Sequence, residues 1–471
     1  MPALNKLSDN EKRYWLLFAI AALSFLPTLF FYYVGEEGIF PMVSQEMWER
    51  GAWLKQYMYG MDMQHNPLFN WLIMPFSALF GWEHVLIVIR VLTVCSTLTT
   101  ALVLAWVAGR LFQDKTFGAF AALGYLTMAD VLLYHGWLSY VDPNYAMFIF
   151  AAIATLWVGV REQRTPMLAL SGVLLSCAFL SKALTAYIFY GGVLFVLLFD
   201  AQQRRFLLHW RTLPILLLTY AGPFIWYAII PGGRAQGKRM FDELTYKFVK
   251  PTLFEYAGKL TGFPIEVLIW LAPLTLLAIY LWLRKRNRKE VSATHQLLFI
   301  SACWMFLLNF LPYWVSPRGG MRYLMPIYPL LALVAARIIW QSGDAALMLA
   351  RKWIIAALVL KFAVALVVFP YYQSHYRGQN YDETAADILT LAQEQPLYTT
   401  NSSAAGLSVT AYLNKRRVPM PVLQLPPANW SSGFVVALSV DETLGQVYKK
   451  YRLGGDDLYL LCRGEACNTR P

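Results

Sequence analysis

Charged residues are scarce in this sequence. Asp, Glu, Lys and Arg make up 14% of its 471 residues, and 58% of the residues are hydrophobic. A soluble domain of ordinary composition has about 25% charged residues. The shortage therefore excludes an ordinary soluble protein and indicates a chain that lies largely within a bilayer. The sequence also shows no internal repeat and no low-complexity tract.

Cysteine is rare as well, with five residues in the chain. Cys95, Cys177 and Cys303 fall inside apolar runs, which predicts small core residues. Cys462 and Cys467 bracket a short polar turn near the C-terminus, where an oxidising compartment would allow a disulfide. Two free thiols are the alternative interpretation of this second group.

The N-terminus shows no small-residue cleavage site. Lys6, Lys12 and Arg13 precede an apolar run at 15–34, which is longer than the roughly 7 to 15 residues of a signal-peptide core. We interpret this run as a retained first span whose N-terminus is cytoplasmic.

Apolar runs long enough to cross a bilayer recur along the chain, since each span needs roughly 20 residues. The pattern predicts a mainly α-helical, polytopic membrane protein of about 11 transmembrane helices. The predicted spans lie near 15–34, 85–108, 117–134, 144–160, 167–180, 184–199, 213–230, 265–283, 297–311, 323–340 and 353–369. The segment 67–80 is apolar but only about 14 residues long, which favours a re-entrant or interfacial helix.

The formal charge of +12 comes mainly from short basic clusters between these runs. Such clusters are typical of cytoplasmic loops, and all of them fall on the side that this topology assigns to the cytoplasm. The distribution therefore predicts a bacterial inner-membrane protein and no nucleic-acid partner. The basic residues concerned are Arg110, Lys115, Arg161, Arg164, Arg204, Arg205, Arg211, Arg284, Lys285, Arg286, Arg288, Lys289, Arg351 and Lys352.

Composition also predicts two domains. Residues 1–370 form the membrane domain, with periplasmic loops at 35–66 and 231–264. Residues 371–471 form a small soluble periplasmic α/β domain, because a helix-like start is followed by short β-like runs separated by Pro and Gly. The helix is predicted at 382–393 and the runs at 434–440 and 458–462.

Two adjacent carboxylates, Glu36 and Glu37, follow the first span directly. A carboxylate at such a boundary can act as general base toward a hydroxyl acceptor. The alternative is a pair of solvated loop acids.

Later in the same loop, 45–51 is predicted to be a short amphipathic helix, and His65 could hold a phosphate or transfer a proton, because its pKa lies near neutrality. A hydrogen-bonded surface histidine is the alternative.

Three more motifs lie at predicted external boundaries. Asp142 follows Tyr140 and Val141 on a turn between two spans, where an ionisable group is a functional candidate; a helix N-cap is the alternative. Lys182 ends the motif Phe-Leu-Ser-Lys, where simple snorkelling is the alternative. The segment 317–329 carries Arg322, whose guanidinium suits a phosphate. A flexible basic turn is the alternative for that segment.

The ordered set of these motifs resembles the GT-C class of membrane glycosyltransferases. Within that class it is most similar to the family of protein O-mannosyltransferases and lipid A aminoarabinose transferases. The resemblance implies that Glu36 stands where the family usually has a catalytic Asp, and Glu37 where it has the following Glu. It implies that His65 replaces a Lys. Asp142 matches the second acidic position, Lys182 matches the Lys of Phe-Leu-Thr-Lys, and Arg322 matches the Arg before a late span.

The implied reaction transfers a sugar from a polyprenyl-phosphate carrier to an extracytoplasmic lipid, glycan or protein acceptor, with inversion. No nucleotide or other cofactor is required. A divalent metal is compatible with the acids present, but no spacing demands one and no metal ligand is assigned. Membrane lipids are further expected partners. The predicted catalytic residues are Glu36, Glu37 and Asp142. The predicted donor-phosphate residues are His65, Lys182, Arg318, Arg322 and Lys55. The predicted acceptor-binding residues are Tyr323, Tyr140, Arg234, Lys238 and Arg239. The last three lie in the loop 231–264, which is unusually basic for an external segment and could bind an anionic acceptor or carrier. A solvated charged loop is the alternative.

A lipid or solute transporter is the leading rival function. Transporters place coupling acids near the bilayer midplane, often in paired repeats, whereas the acids here gather at the external boundary. A protein that only anchors its C-terminal domain is a third alternative, but it leaves the acids after the first span without a role.

Overall fold

The computed structural model describes residues 8–246, 253–284, 292–317 and 319–468. Helices dominate this part of the chain. The α-helices are Asp9–Leu23, Ile39–Glu49, Leu68–Phe80, Val85–Leu111, Lys115–Leu126, Asp142–Arg161, Thr165–Ser181, Thr185–Leu197, Ala201–Leu207, Leu213–Ile229, Gly233–Tyr246, Leu253–Trp270, Leu274–Leu283, Ala293–Val315, Tyr328–Gln341, Asp344–Ala363, Phe369–His375, Gln379–Ala392 and Ala404–Arg417. Short 3₁₀ segments are Leu26–Phe30, Trp82–His84, Met321–Ile327 and Gly464–Asn468, and π-helical segments are Asp130–His135 and Val364–Val368.

Side-chain caps explain where several helices begin. Ser8 accepts a hydrogen bond from the backbone N–H of Glu11 at 3.2 Å, and Asp114 accepts one from that of Phe117 at 3.0 Å. These oxygens satisfy N–H groups that have no partner within the first turn of a helix. Ser292 caps the helix Ala293–Val315 in the same way.

Each of the predicted spans coincides with helical structure, so the mainly α-helical, polytopic membrane fold is confirmed. Within the described residues, six helical segments are long and apolar enough to cross a bilayer, and a seventh span results if the bent pair Tyr256–Trp270 and Leu274–Leu283 counts as one. The remaining predicted spans fall on shorter helices, so the count of about 11 depends on accepting spans under roughly 20 residues. The long segments are Asp9–Phe30, Trp82–Leu111, Asp142–Arg161, Ala293–Val315, Met321–Gln341 and Asp344–His375.

Packing divides the chain into two compact units. One combines the described residues within 1–26, 93–137 and 141–362, and the other combines those within 27–92, 138–140 and 363–471. The second unit thus groups the segment that follows the first span with the C-terminal residues. The domain boundary predicted near 370 is a different division, made from composition, and stays a prediction.

The first unit is a helix bundle. The helices Asp142–Arg161 and Thr165–Ser181 pack against each other along their length. Small residues allow their close approach: a Cβ on Gly159 would lie 2.8 Å from the Cβ of Met167. This pairing matters for the site, because Asp142 begins one of these helices and Lys182 follows the end of the other.

The second unit contains a four-stranded mixed sheet. Its strands lie in the order Leu397–Thr399, Gly433–Ala437, Asp457–Arg463 and Gln446–Arg452, with the first pair parallel and the others antiparallel. The helices Gln379–Ala392 and Ala404–Arg417 pack together beside the core of this unit. The small α/β region predicted after 370 is therefore confirmed. A two-stranded hairpin, Tyr57–Met58 with Met61–Asp62, lies earlier in the same unit.

Several local predictions need correction. The predicted loop 231–264 is helical over most of its described length. Gly233–Tyr246 forms an amphipathic helix without a continuous apolar run, and Leu253–Trp270 begins within the same loop. The amphipathic helix predicted at 45–51 begins earlier, at Ile39. Cys95 is exposed on its span rather than in a core, since a membrane helix can turn a small apolar residue toward lipid. Cys462 and Cys467 form a disulfide.

Candidate active site

Glu37 is completely buried in the second unit and forms an ion pair with Arg90, which is also completely buried. One carboxylate oxygen of Glu37 accepts hydrogen bonds from Nε of Arg90 at 3.0 Å and from the backbone N–H of Ser139 at 2.7 Å. The other accepts from Nη2 of Arg90 and from the backbone N–H of Val34 at 2.8 Å. A carboxylate with both oxygens engaged in this way is suited to holding structure rather than to accepting a proton from substrate.

Arg90 is equally well satisfied. Its Nη1 donates to the backbone carbonyl of Thr28 at 3.1 Å, and its Nη2 donates to that of Tyr32 at 3.0 Å. These carbonyls end the first span, where a helix leaves its last C=O groups without partners. The guanidinium therefore ties the end of the first span to Glu37. Sequence reasoning missed Arg90, although an arginine inside the apolar run 85–108 is itself a signal of a structural or functional role.

The turn before this pair is closely fitted. Gly35 has φ +57°, and a Cβ there would lie 2.6 Å from the hydroxyl oxygen of Tyr140. That hydroxyl accepts a hydrogen bond from the backbone N–H of Glu36 at 3.1 Å. Only glycine meets both requirements without strain. Tyr140, predicted from sequence as an acceptor-binding residue, is thus found beside the Glu36 backbone.

Glu36 differs from its neighbour because it is exposed. The buried contacts of Glu37, together with the bond from Glu36 N–H to Tyr140, fix the backbone that carries the Glu36 carboxylate. A carboxylate held on a rigid turn and open to solvent can serve as a general base. The two adjacent acids therefore have different chemical capacities.

Asp142 and Lys182 form an ion pair in the first unit. Asp142 is the first residue of its helix and not its N-cap, which is Val141. The side chain of Asp142 is 6% exposed and that of Lys182 is 25% exposed, so the pair is only partly closed to solvent. Two residues predicted from separate motifs are brought together here, which favours a joint role over capping or simple snorkelling.

Aromatic rings enclose the ammonium group of Lys182. Its Nζ lies 5.1 Å from the ring centroid of Tyr323 and 5.9 Å from that of Tyr145. The hydroxyl of Tyr145 is 2.6 Å from that of Thr185, which fixes the ring. Cations are attracted to the face of an aromatic ring, so these contacts keep the charge in place.

Arg322 lies next to this group. Its Nη2 is 3.4 Å from the hydroxyl of Tyr323, and its guanidinium is 5.3 Å from the centroid of the same ring. Tyr323 is therefore shared between two cations, Lys182 and Arg322. The structure thus assembles four of the residues predicted from sequence, Asp142, Lys182, Arg322 and Tyr323, into one cluster, which we call the Asp142 cluster.

A buried hydrogen-bond network supports the segment that carries Arg322 and Tyr323. The hydroxyl of Tyr328 lies 2.8 Å from a carboxylate oxygen of Asp130 and 3.0 Å from the backbone carbonyl of Met321. The other oxygen of Asp130 is 2.7 Å from Nδ1 of His135. Neither Asp130 nor His135 was predicted, although a carboxylate within the predicted span 117–134 was a visible signal.

Two further residues predicted to bind the donor phosphate, Lys55 and His65, belong to the second unit. Lys55 pairs with Asp62 at 2.9 Å across the hairpin, and this hydrogen bond raises the pKa of Lys55. His65 follows the same hairpin and is half-buried. Arg318 lies outside the described residues. These positions leave the assignment of Lys55, His65 and Arg318 to the donor phosphate as a prediction.

The predicted acceptor residues Arg234, Lys238 and Arg239 share the helix Gly233–Tyr246. Arg234 and Lys238 are exposed and one turn apart, so they lie on one face of the helix. Another basic residue of the predicted loop, Lys259, donates a hydrogen bond to the backbone carbonyl of Gly319 at 2.7 Å. Lys259 therefore reaches the segment that leads into Arg322.

Among the residues that the structure describes, no three side chains of His, Cys, Asp or Glu come together as a metal-binding group. The expectation that transfer requires no cofactor stays a prediction.

Comparison with known proteins supports the resemblance read from the sequence. Residues 64–227 match the family model of dolichyl-phosphate-mannose-protein mannosyltransferases. An undecaprenyl phosphate-alpha-4-amino-4-deoxy-L-arabinose arabinosyl transferase of Pseudomonas fluorescens is 27% identical over 178 residues, which are 37% of this chain and 30% of that protein. The same enzyme from an Enterobacter species is 29% identical over 131 residues, which are 27% of this chain and 23% of that protein. The chain thus matches less than a third of the length of these relatives.

Solved structures share the whole fold. The crystal structure of ArnT from Cupriavidus metallidurans bound to undecaprenyl phosphate has a TM-score of 0.68 at 16% identity, covering 97% of this chain and 99% of that one. The structure without ligand gives a TM-score of 0.67 and covers 98% and 100%. The chain is therefore a multi-pass membrane protein with the fold of ArnT, related through residues 64–227 to the family of dolichyl-phosphate-mannose-protein mannosyltransferases.

Proposed function

We propose that the protein is a membrane glycosyltransferase that moves a sugar from a polyprenyl-phosphate carrier, such as undecaprenyl phosphate, to an acceptor outside the cytoplasm. The observation that carries this proposal is the Asp142 cluster, in which Lys182 lies against Asp142 and Tyr323 is shared with Arg322. A carboxylate paired with one cation, with a second cation across a shared aromatic ring, suits a reaction in which a phosphate leaves as a nucleophile approaches.

The cations act on the donor. Arg322 makes bidentate hydrogen bonds to the carrier phosphate, because a guanidinium matches phosphate oxygens and stays charged. Lys182 adds a second charge, which Asp142 and the rings of Tyr323 and Tyr145 position. The bond between the anomeric carbon and the phosphate oxygen breaks, and the carrier phosphate departs with its negative charge stabilised by these groups.

The carboxylates act on the acceptor. Glu36 takes the proton from the acceptor hydroxyl while the oxygen of that hydroxyl bonds to the anomeric carbon with inversion. Asp142 assists in this deprotonation. Glu37 is a positioning residue in this scheme, since its oxygens accept hydrogen bonds from Arg90, Ser139 and Val34. This revises its role from a catalytic residue to a support for the Glu36 turn.

The setting of the reaction follows from the charge pattern. We place the N-terminus in the cytoplasm and the C-terminal region in the periplasm of a bacterial inner membrane, because the basic clusters then lie inside. The acceptor is lipid A, another envelope glycan or a protein. Arg234, Lys238 and Arg239 provide the cationic surface for an anionic acceptor, with Tyr140 and Tyr323 as further contacts.

A transfer assay tests the proposal. The purified full-length protein is incubated with radiolabelled undecaprenyl-phosphate sugars and a membrane lipid extract, alongside the variants Glu36→Gln and Asp142→Asn. We expect both variants to fold. Loss of a general base costs about 10²- to 10⁴-fold in rate, so the transfer rate of each variant should fall on that scale. Glu83→Gln is the matched control, because Glu83 is a surface acid with 47% of its side chain exposed.

Two outcomes contradict the proposal. Equal transfer by the wild type and both variants would show that these carboxylates have no catalytic role. Absence of transfer with every donor, accompanied by movement of labelled lipid across vesicle membranes, would favour the transporter instead.

A further inference from the structure

A polar cavity of about 510 Å³ lies in the first unit, where five helix ends meet. Four of these ends are the starts of the helices that begin at Asp9, Lys115, Ala293 and Asp344. The fifth is the C-terminal end of the helix Tyr328–Gln341. This volume is within the range of about 300 to 1,000 Å³ that is usual for small-molecule sites. The proposed topology puts these helix ends on the cytoplasmic side.

Two buried donors in this lining have no acceptor. Arg337 is 6% exposed and Gln341 is 5% exposed, and Nε of Arg337 and Nε2 of Gln341 make no hydrogen bond to any described residue. The two residues are four apart on one helix, so they share a face. Buried donors are almost always satisfied, and two that remain open beside a cavity indicate a ligand with acceptor oxygens.

The guanidinium of Arg337 is held in position. It lies 4.7 Å from the ring centroid of Phe112 and 5.5 Å from that of Phe117. These aromatic contacts support the charge without using hydrogen-bond donors on Nε. Arg337 is therefore preorganised to meet an anionic group, and a phosphate is the group that a guanidinium binds best.

The charges in the lining restrict the ligand further. Apart from Arg337, the charged side chains are the carboxylates of Asp114 and Asp344. One oxygen of Asp114 caps the helix Lys115–Leu126 by accepting from the N–H of Phe117, while Asp344 is exposed. With one cation and two carboxylates, a purely anionic headgroup would add like charge. A zwitterion with both a phosphate and an ammonium group complements both signs.

Aromatic residues place the cavity at the level of a membrane interface. Tyr14 and Trp340 line it, and both residue types are enriched where lipid headgroups meet the hydrocarbon region. We propose that this cavity binds the headgroup of a zwitterionic amine phospholipid such as phosphatidylethanolamine, with its phosphate on Arg337 and Gln341 and its ammonium group toward Asp344. This site does not depend on the proposed transfer reaction.

Lipid binding to the full-length protein tests the proposal. Delipidated protein in detergent is titrated with short-chain phosphatidylethanolamine, phosphatidylglycerol or inorganic phosphate, and bound lipid is counted by native mass spectrometry. A charge-assisted hydrogen bond accounts for about tenfold or more in affinity. We therefore expect phosphatidylethanolamine to bind about tenfold more tightly than phosphatidylglycerol, and Arg337→Met to weaken it by a similar factor.

A second variant distinguishes recognition of the lipid's ammonium group from recognition of its phosphate. Asp344→Asn should remove most of the preference for phosphatidylethanolamine over phosphatidylglycerol while leaving phosphate recognition in place. Arg204→Met is the matched control, because Arg204 lies on another helix and donates to the carbonyl of Leu198. If Arg337→Met does not fold, Gln341→Leu carries the same comparison, with about threefold weaker binding expected.

Three results would overturn the proposal. Phosphatidylglycerol that binds as tightly as phosphatidylethanolamine would exclude a site for a zwitterion. Wild-type affinity in Arg337→Met, or in Gln341→Leu where that variant replaces it, would exclude the assigned contacts. Competition by inorganic phosphate alone, at the affinity of the lipid, would identify a free anion as the ligand instead.

Discussion

Two buried or half-buried ion pairs, Glu37 with Arg90 and Asp142 with Lys182, differ in how completely their partners satisfy them. Both side chains of the first pair are 0% exposed, and Arg90 also donates to several backbone carbonyls. In the second pair Lys182 is 25% exposed and faces two tyrosine rings. A pair with every hydrogen-bond position used can only hold structure, whereas a pair with an open cation can exchange one anion for another. The first pair therefore stabilises the fold, and the second pair is the candidate for a catalytic role.

The largest effect is expected from breaking the fully buried pair of Glu37 and Arg90. Glu37→Gln leaves the buried charge of Arg90 without a counterion, and removing one partner of such a pair costs about 3 to 5 kcal/mol. We expect a much lower midpoint of thermal unfolding in detergent and a low yield of folded protein. Glu83→Gln, at a surface position, should unfold like the wild type; equal stability of the two variants would show that the closed pair is not structural.

Opening the second pair should affect catalysis instead. Lys182→Met removes a charge that we assign to the leaving phosphate, and loss of one such stabilising group costs about 10²- to 10³-fold in rate. We expect folded protein with transfer reduced on that scale, while Lys182→Arg restores part of the activity because it keeps the cation. The rates are measured in the transfer assay. A Lys182→Met variant that transfers normally would remove Lys182 from the mechanism.

A smaller effect is expected at the network behind the Asp142 cluster. Tyr328→Phe removes the hydroxyl near Asp130 and the carbonyl of Met321, which leaves a buried acceptor unpaired at a cost of about 1 to 3 kcal/mol. We expect a moderate fall in the unfolding midpoint and a larger KM for the donor, because the segment with Arg322 and Tyr323 becomes less well positioned. Kinetics that change only in kcat would argue against this positioning role.

The smallest effect concerns acid stability of the C-terminal region. Desolvation raises the pKa of Asp387, but hydrogen bonds from Lys449 and Tyr451 outweigh it and lower that pKa below its ordinary value. The carboxylate therefore stabilises the fold above the pKa of the unfolded chain, and this contribution is lost as pH falls through the folded-state pKa. Since the side chain is 40% exposed, solvent screening limits the effect to about 0.5 kcal/mol.

This last effect is measured as the difference in unfolding midpoint between the wild type and Asp387→Asn. The difference should be present at pH 7 and shrink in acid below about pH 4, the ordinary range of an aspartate pKa. Glu442→Gln, at an exposed position, should show no such pH dependence. A difference that grows in acid would contradict the assigned sign.

Sequence reasoning found the apolar helices well and the polar ones poorly. Each predicted span falls on a helix, because an apolar run of sufficient length has few alternatives in a bilayer. The helix Gly233–Tyr246 was taken for a loop, since its basic residues gave no apolar signal. Within the candidate site, Asp142, Lys182, Arg322 and Tyr323 were all named in advance, but their grouping was not, because they come from motifs far apart in the chain.

The sequence by itself determined that the protein lies in a membrane, where its apolar helices run and which acids lie near the ends of those helices. These properties follow from local composition, since hydrophobic length and charge are read residue by residue. Only the tertiary structure decided which of the two adjacent carboxylates is buried and which is exposed. Glu37 meets Arg90, a residue 53 positions later, while Glu36 does not share that burial. Pairing and burial depend on contacts between distant residues, and these set the chemical role of each carboxylate.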